Sequence, residues 1–261
     1  MQIETTSGLR LHYETRGAGP VIVLLHPVGL RGAFWKPVVE RLSDRFRLVY
    51  PDLRGHGGSD VPTTDFTLSD MARDVIDLIG AVGEPPAVVC GCSLGGMLAQ
   101  SIALAAPELV GGLVIAGAGF TRDAAGRKAV LARAEAARRG MPDVLETTLD
   151  RWFTDEVERA DPMMVGMVRA WLLEDDPVVH ARCWQAMAGL DHADRLASIG
   201  APTLVVAATA DQSVPVATLK DLASRIPGAR YGEIEGAGHL APLERPKDFA
   251  AILGDFALEI A

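Results

Sequence analysis

The chain has 261 residues, with 25 Lys and Arg against 34 Asp and Glu, a formal net charge of −9, and 49% hydrophobic residues. That length holds one large α/β domain or two small ones, and it buries a core that needs neither disulfide nor metal. The acidic balance argues against a nucleic-acid partner, which requires a basic patch to release counterions from phosphates, and against an anionic membrane surface.

In chain order, Leu9–Tyr13 alternates apolar and polar residues as an antiparallel edge strand does. Val21–Leu25 is short and continuously apolar, the pattern of a strand buried on both faces. Phe46–Tyr50, Ala87–Cys90, Leu113–Ala116 and Leu204–Ala208 read the same way, and Arg230–Ile234 is the last strand. Between them, Leu68–Val82 places Met71, Val75, Leu78, Ile79 and Val82 at helical spacing opposite Asp70, Arg73, Asp74 and Asp77. Leu94–Ala106 is nearly all apolar or small and predicts a buried helix, and another helix starts near Glu244. Buried strands alternating with helices specify parallel βαβ units in an open sheet covered on both faces.

The rhythm stops between Phe120 and Arg195, where no strand-like run occurs. Four or five helices are expected there, with Arg122–Arg139, Pro142–Trp152, Pro162–Leu173 and Pro177–Leu190 as the candidates. Three of the four tryptophans and five of the eight methionines fall in this stretch. The expected division is therefore residues 1–119 and 196–261 as one α/β core, with 120–195 as a helical cap. The cap's tryptophans and methionines either line an apolar pocket or only pack it onto the core.

No apolar run approaches the ~18 residues of a membrane span. The opening Met1-Gln2-Ile3-Glu4-Thr5-Thr6 has no basic segment followed by an apolar one, so no secretory signal is expected. Cys90, Cys92 and Cys183 match neither a zinc site nor a redox pair, and a cytoplasmic, reducing compartment is the expectation. No zinc-protease helix, phosphate loop or dinucleotide fingerprint occurs, so neither metal nor nucleotide cofactor is expected.

The chemistry concentrates at Gly91-Cys92-Ser93-Leu94-Gly95, which follows a predicted strand and opens a predicted helix. That context is a nucleophile elbow, with the serine hydroxyl lifted to the helix N-terminus. The glycine spacing selects Ser93 as nucleophile and turns Cys92 toward the interior. A serine hydroxyl needs a base, and the base needs an orienting acid. Among six histidines, His239 lies in a loop at the carboxyl end of the last strand, where open α/β sheets place their sites. His12 sits on the polar edge strand, His26 and His56 suit structural hydrogen bonds, and His180 and His192 fall among charged residues where solvation is expected. Asp211 follows Leu204–Ala208 and completes the order Ser, Asp, His; Asp194 is the alternative acid. The oxyanion of a tetrahedral intermediate needs two N–H donors. Leu94 supplies one, and because Pro27 has no N–H, Val28 is the candidate for the other.

With these features the sequence resembles the α/β-hydrolase superfamily over its whole length. Within it the chain is most similar to the 3-oxoadipate enol-lactonase group, through Asp52-Leu53-Arg54-Gly55-His56-Gly57-Gly58-Ser59-Asp60, Gly91 to Gln100, and Arg151-Trp152-Phe153-Thr154. The resemblance implies a mostly parallel sheet flanked by helices, a helical cap, and hydrolysis of a small enol-lactone in aromatic catabolism. A lactone bearing a carboxylate calls for an arginine; Arg133, Arg151 and Arg169 are candidates, with Trp152 and Trp171 beside them. The partner expected is a small ester or lactone, with no nucleic acid or membrane. The same three residues also suit C–C, thioester or perhydrolysis chemistry, and the scaffold also suits a non-catalytic binder.

Overall fold

The computed structural model describes residues 1–82 and 85–260. Eight strands form one sheet: β1 (Gln2–Glu4), β2 (Arg10–Arg16), β3 (Val21–Leu25), β4 (Arg47–Pro51), β5 (Ala87–Cys92), β6 (Val110–Ala116), β7 (Thr203–Ala208) and β8 (Arg230–Ile234). Their spatial order is β1-β2-β4-β3-β5-β6-β7-β8. From β4 to β8 every pairing is parallel, and β2 joins β4 and β1 antiparallel. The alternating segment predicted as the edge strand is thus second from the edge. The three-residue β1 takes the edge instead; so short a run has no readable period.

The central strands β3, β5 and β7 are buried at every position because helices cover both faces. Helices α1 (Lys36–Leu42) and α11 (Pro246–Ile260) pack together, as do α2 (Leu68–Val82) and α3 (Leu94–Ala105). Trp35 anchors the first pair, fully buried, with its ring 5.0 Å from Phe34 and 5.6 Å from Phe249. The loop after β4 is tied to α2 by a buried ion pair, Arg54 Nε to Asp74 Oδ2 at 2.5 Å.

Residues 120–195 form five helices: α4 (Ala124–Arg139), α5 (Pro142–Trp152), α6 (Asp155–Ala160), α7 (Pro162–Glu174) and α8 (Pro177–Ala188). Local chemistry sets their starts. Pro142, Pro162 and Pro177 sit in the first turn, and Asp123, Thr154, Asp161 and Asp176 accept N-terminal backbone N–H groups. α6 is the fifth helix, for which the sequence offered no bounds; its six residues bury only Val157. The chain then returns through β7, α9 (Val216–Arg225), β8 and the short α10 (Ala241–Glu244) to α11. Among the described residues, no helix is long and apolar enough to cross a membrane.

Beginning with β3, each strand end leads into a loop on one edge of the sheet, and the chain runs from β3 out to β4 and back past it to β5. That reversal opens a crevice at the carboxyl ends of the strands.

Candidate active site

Ser93 stands at the end of β5 with φ 55° and ψ −116°, a left-handed conformation that is strained for any residue with a Cβ. Its neighbours make the turn possible. A Cβ on Gly91 would overlap the Gly95 carbonyl, and one on Gly95 would overlap the Leu25 carbonyl. The Ser93 N–H donates to the Ala116 carbonyl (2.9 Å), and its carbonyl starts α3 by accepting from Met97 (3.0 Å).

His239 Nε2 lies 2.9 Å from Ser93 Oγ, and His239 Nδ1 lies 2.8 Å from Asp211 Oδ2. The imidazole and carboxylate side chains are 3% and 1% exposed, so the bonds are shielded from water. Asp211 Oδ1 accepts the N–H groups of Ser213 (2.6 Å) and Val214 (3.0 Å), which locks the carboxylate. With Nδ1–H donating to Asp211, Nε2 is left to accept the serine proton.

The His239 loop has its own supports. The His239 N–H donates to the Trp152 carbonyl (2.9 Å), and the Trp152 ring lies 6.0 Å from the imidazole, tilted by 30°. Glu244 accepts the N–H groups of Gly238 (2.8 Å) and Leu240 (3.3 Å). Burial pushes the Glu244 carboxyl above the usual range, and those two N–H groups counter it. Sequence reasoning passed over Glu244; the available signal was an acid five residues past the histidine, after an apolar run.

On the opposite side, the loop after β3 is held by two buried imidazoles. His26 donates from Nδ1 to the Pro27 carbonyl (2.7 Å) and accepts the Leu53 N–H at Nε2 (2.9 Å). His56 donates from Nδ1 to the Arg54 carbonyl (3.0 Å) and accepts the Gly29 N–H at Nε2 (3.0 Å). The Val28 and Leu94 N–H groups make no hydrogen bond to another described residue.

Ser93, His239 and Val28 face a cavity of about 210 Å³ whose other walls include Arg122, Arg133, Arg151, Trp152 and Trp184. Burial lowers all three guanidinium pKa values. Arg133 lowers Arg122 further, and Arg151 is pushed down to about 10 by burial and by Arg133, with Asp211 opposing. The arginines are steadied by neutral groups: Arg122 Nε donates to the Met187 carbonyl (3.0 Å), Arg151 Nε to the Thr147 carbonyl (2.9 Å), and Arg133 lies over the Trp184 ring (5.3 Å).

Other expectations need correction. Trp171 does not line the cavity. It lies on α7 beside the buried stripe Val165, Val168 and Leu172, and Arg31 stacks on its ring at 5.6 Å. Arg169 is exposed and paired with Glu146. His180 is not solvated: it is 1% exposed, bonded through Nδ1 to Asp175 (2.7 Å) and accepting the Trp184 indole N–H (2.9 Å). His192 is half-buried against Ser101 Oγ at 3.2 Å. Asp194 is exposed. Cys92 is buried, its thiol donates to the His239 carbonyl (3.7 Å), and burial pushes its pKa well up. Among the described residues, no group of three or more His, Cys, Asp or Glu side chains is placed to hold a metal ion.

Residues 22–252 match the profile of the alpha/beta hydrolase family. The chain is 30% identical to 3-oxoadipate enol-lactonase 1 of Acinetobacter baylyi, in an alignment covering 100% of this chain and 97% of that protein. The enol-lactonase of Burkholderia xenovorans superposes with a TM-score of 0.94 at 28% identity, covering 99% of this chain and all of that one (100%). A thermophilic esterase of Thermogutta terrifontis with malate bound also gives 0.94, at 29% identity, covering 100% of this chain and 98% of its own. The sheet order, the strained serine turn and these full-length similarities agree: the chain belongs to the α/β-hydrolase family and is a hydrolase.

Proposed function

We propose that the protein is a cofactor-independent serine hydrolase that opens a small lactone or cleaves a small carboxylic ester, in the manner of 3-oxoadipate enol-lactonase. The observation that carries this reading is the unbroken row Asp211–His239–Ser93 at the floor of the cavity, with spacings of 2.8 and 2.9 Å. Ser93 Oγ attacks the carbonyl carbon while its proton passes to His239 Nε2. The carbonyl oxygen becomes an oxyanion held by the Val28 and Leu94 N–H groups, and Asp211 stabilises the imidazolium. Collapse breaks the carbon–oxygen bond, and His239 returns the proton to the leaving oxygen. In a lactone that oxygen stays on the acyl chain as a hydroxyl or enol. Water then attacks the acyl-enzyme, gives its proton to His239, and the acid departs as Ser93 is reprotonated.

Residues 120–195 act as a cap that supplies the cavity's arginines and tryptophans. The three buried, free cysteines suit a reducing cytoplasm, and the similarity to enol-lactonases supports a place in aromatic catabolism.

The test compares turnover of 3-oxoadipate enol-lactone with that of short aryl esters, with fluorophosphonate labelling alongside. Wild-type protein should open the lactone and take the label on Ser93. Ser93→Ala should lose the label and about 10³-fold or more of kcat. A lactone left untouched while short esters turn over replaces the lactonase by an esterase. Folded wild-type protein that neither labels nor turns over either substrate is a binder.

A further inference from the structure

A further buried Asp–His pair lies where α7 passes into α8. His180 Nδ1 bonds Asp175 Oδ2 at 2.7 Å, with the two side chains 1% and 7% exposed. The row continues to a tryptophan, whose Nε1–H donates to His180 Nε2 at 2.9 Å. An indole N–H can only donate, so Nε2 carries the lone pair and the proton sits on Nδ1, directed at Asp175. The indole nitrogen is no nucleophile, so this row does no bond chemistry of its own; it holds a ring in place.

Trp184 follows His180 by one turn on the same face of α8. The loop after β3 closes on the imidazole as well: a Cβ on Gly29 would come within 2.9 Å of His180 Cε1. The imidazole is thus wedged between Asp175 and that loop. Burial alone leaves an aromatic ring a choice of orientations about its last torsion, and a fixed acceptor selects the one that turns the N–H toward it. The ring held in this way borders two cavities. With Arg133 and Arg151, Trp184 lines both the cavity of about 210 Å³ at Ser93 and an adjoining one of about 190 Å³ between α4 and α5. The far walls of the second, Ala136, Val144 and Thr148 among them, are small or largely apolar. Arg133 lies over the indole at 5.3 Å, so the ring's orientation also places that guanidinium.

On the reading that Ser93 attacks at the first cavity, we infer that Asp175 and His180 are positioning residues that set substrate size: they hold Trp184 as the partition between the two cavities and so confine the substrate to the smaller space at Ser93. With the indole released, the second cavity joins the first and longer chains fit.

The experiment titrates the intact protein with butylboronic and octylboronic acid, which add to an activated serine, and measures both affinities by calorimetry. Wild-type protein should bind the butyl acid more tightly. Two variants then separate the two bonds of His180. His180→Asn places an amide N–H near Nδ1, which keeps Asp175 partnered and releases Trp184. His180→Gln places an amide oxygen near Nε2, which keeps Trp184 held and leaves Asp175 without its donor. The preference for the butyl acid should fall about tenfold in His180→Asn and stay within about twofold in His180→Gln. The urea midpoint should order the other way, lower in His180→Gln, because a buried carboxylate has lost its partner. A purely structural pair would instead make selectivity follow stability. Wild-type protein that binds the octyl acid as tightly as the butyl one overturns the inference, as does an unchanged preference in His180→Asn, or a greater loss of preference in His180→Gln than in His180→Asn. In those cases binding that disappears in Ser93→Ala leaves the hydrolase standing. Wild-type protein that binds neither acid, or binds both as well after Ser93→Ala, removes the hydrolase and this inference with it.

Discussion

Gly29 has φ +73°, and a Cβ there would press on Leu172 and His180 of the helical segment. Its N–H is taken by His56, so the peptide plane between Val28 and Gly29 is fixed by one imidazole. The preceding plane, which carries the Val28 N–H, is held through its Pro27 carbonyl by His26 Nδ1 at 2.7 Å, and His56 braces Val28 from the Gly29 side, which makes His56 a positioning residue for the proposed oxyanion donor. Replacing His56 by Phe removes the acceptor, and kcat should fall by about 10- to 100-fold, short of the 10²–10³ lost when a donor itself is deleted. KM should barely move, and affinity for a boronic acid that mimics the tetrahedral state should fall in step with kcat. Equal weakening of substrate and boronate would mean that His56 acts only on overall packing. The sequence pointed to Val28 by elimination, since proline cannot donate. It placed His56 in a structural role without showing its partner, because Gly29 lies 27 residues earlier in the chain.

Among the elements, the junction of β5 and α3 is the most constrained. α3 is buried along most of its length, and its first turn approaches β3 so closely that Gly95 sits against the Leu25 backbone. Gly95→Ala should destabilise the protein by about 2–4 kcal/mol, read as a lower urea midpoint, because backbone atoms have nowhere to move. An α7 cap change should be milder: Asp161 accepts the Met164 N–H at 2.9 Å, and Asp161→Ala should cost about 1 kcal/mol. The elements legible in the sequence were those with a strong period or a continuous apolar run, such as β3, α2 and α5. β1 was missed and α6 was left without bounds because three and six residues are too few to show a period. The tripeptide pairs only because β2 offers it an edge.

At the scale of the whole molecule, stability should depend on pH through buried histidines. His26 is pushed down to about 3, first by burial and then by His56, and His192 to about 4 by burial and Arg195. The folded state therefore resists protons that the unfolded chain takes up below pH 6.5, so stability is complete above that value and is lost as pH falls toward 4. For His26 the loss is about 2 kcal/mol by pH 5. Urea unfolding at pH 7, 6 and 5 should show the decline, and His26→Gln should flatten it; an unchanged slope in the variant assigns the effect elsewhere.

The division between what the chain alone determines and what folding decides follows the range of the forces involved. Strand and helix periods, proline and aspartate helix starts, and the strained turn at Ser93 are local properties, so the alternation of elements and the three residues Ser93, Asp211 and His239 could be read along the chain. Which arginines reach the cavity could not. Arg133, Arg151 and Arg169 are alike in sequence, yet the packing of α4, α5, α7 and α8 turns two into the wall of the serine's cavity and leaves the third outside it, paired with Glu146. Trp171 and Trp184 diverge for the same reason, and Glu244 becomes a support of the His239 loop only because the surrounding fold buries it. Burial and charge pairing belong to neighbours brought together from distant positions, and only the assembled tertiary structure specifies those neighbours.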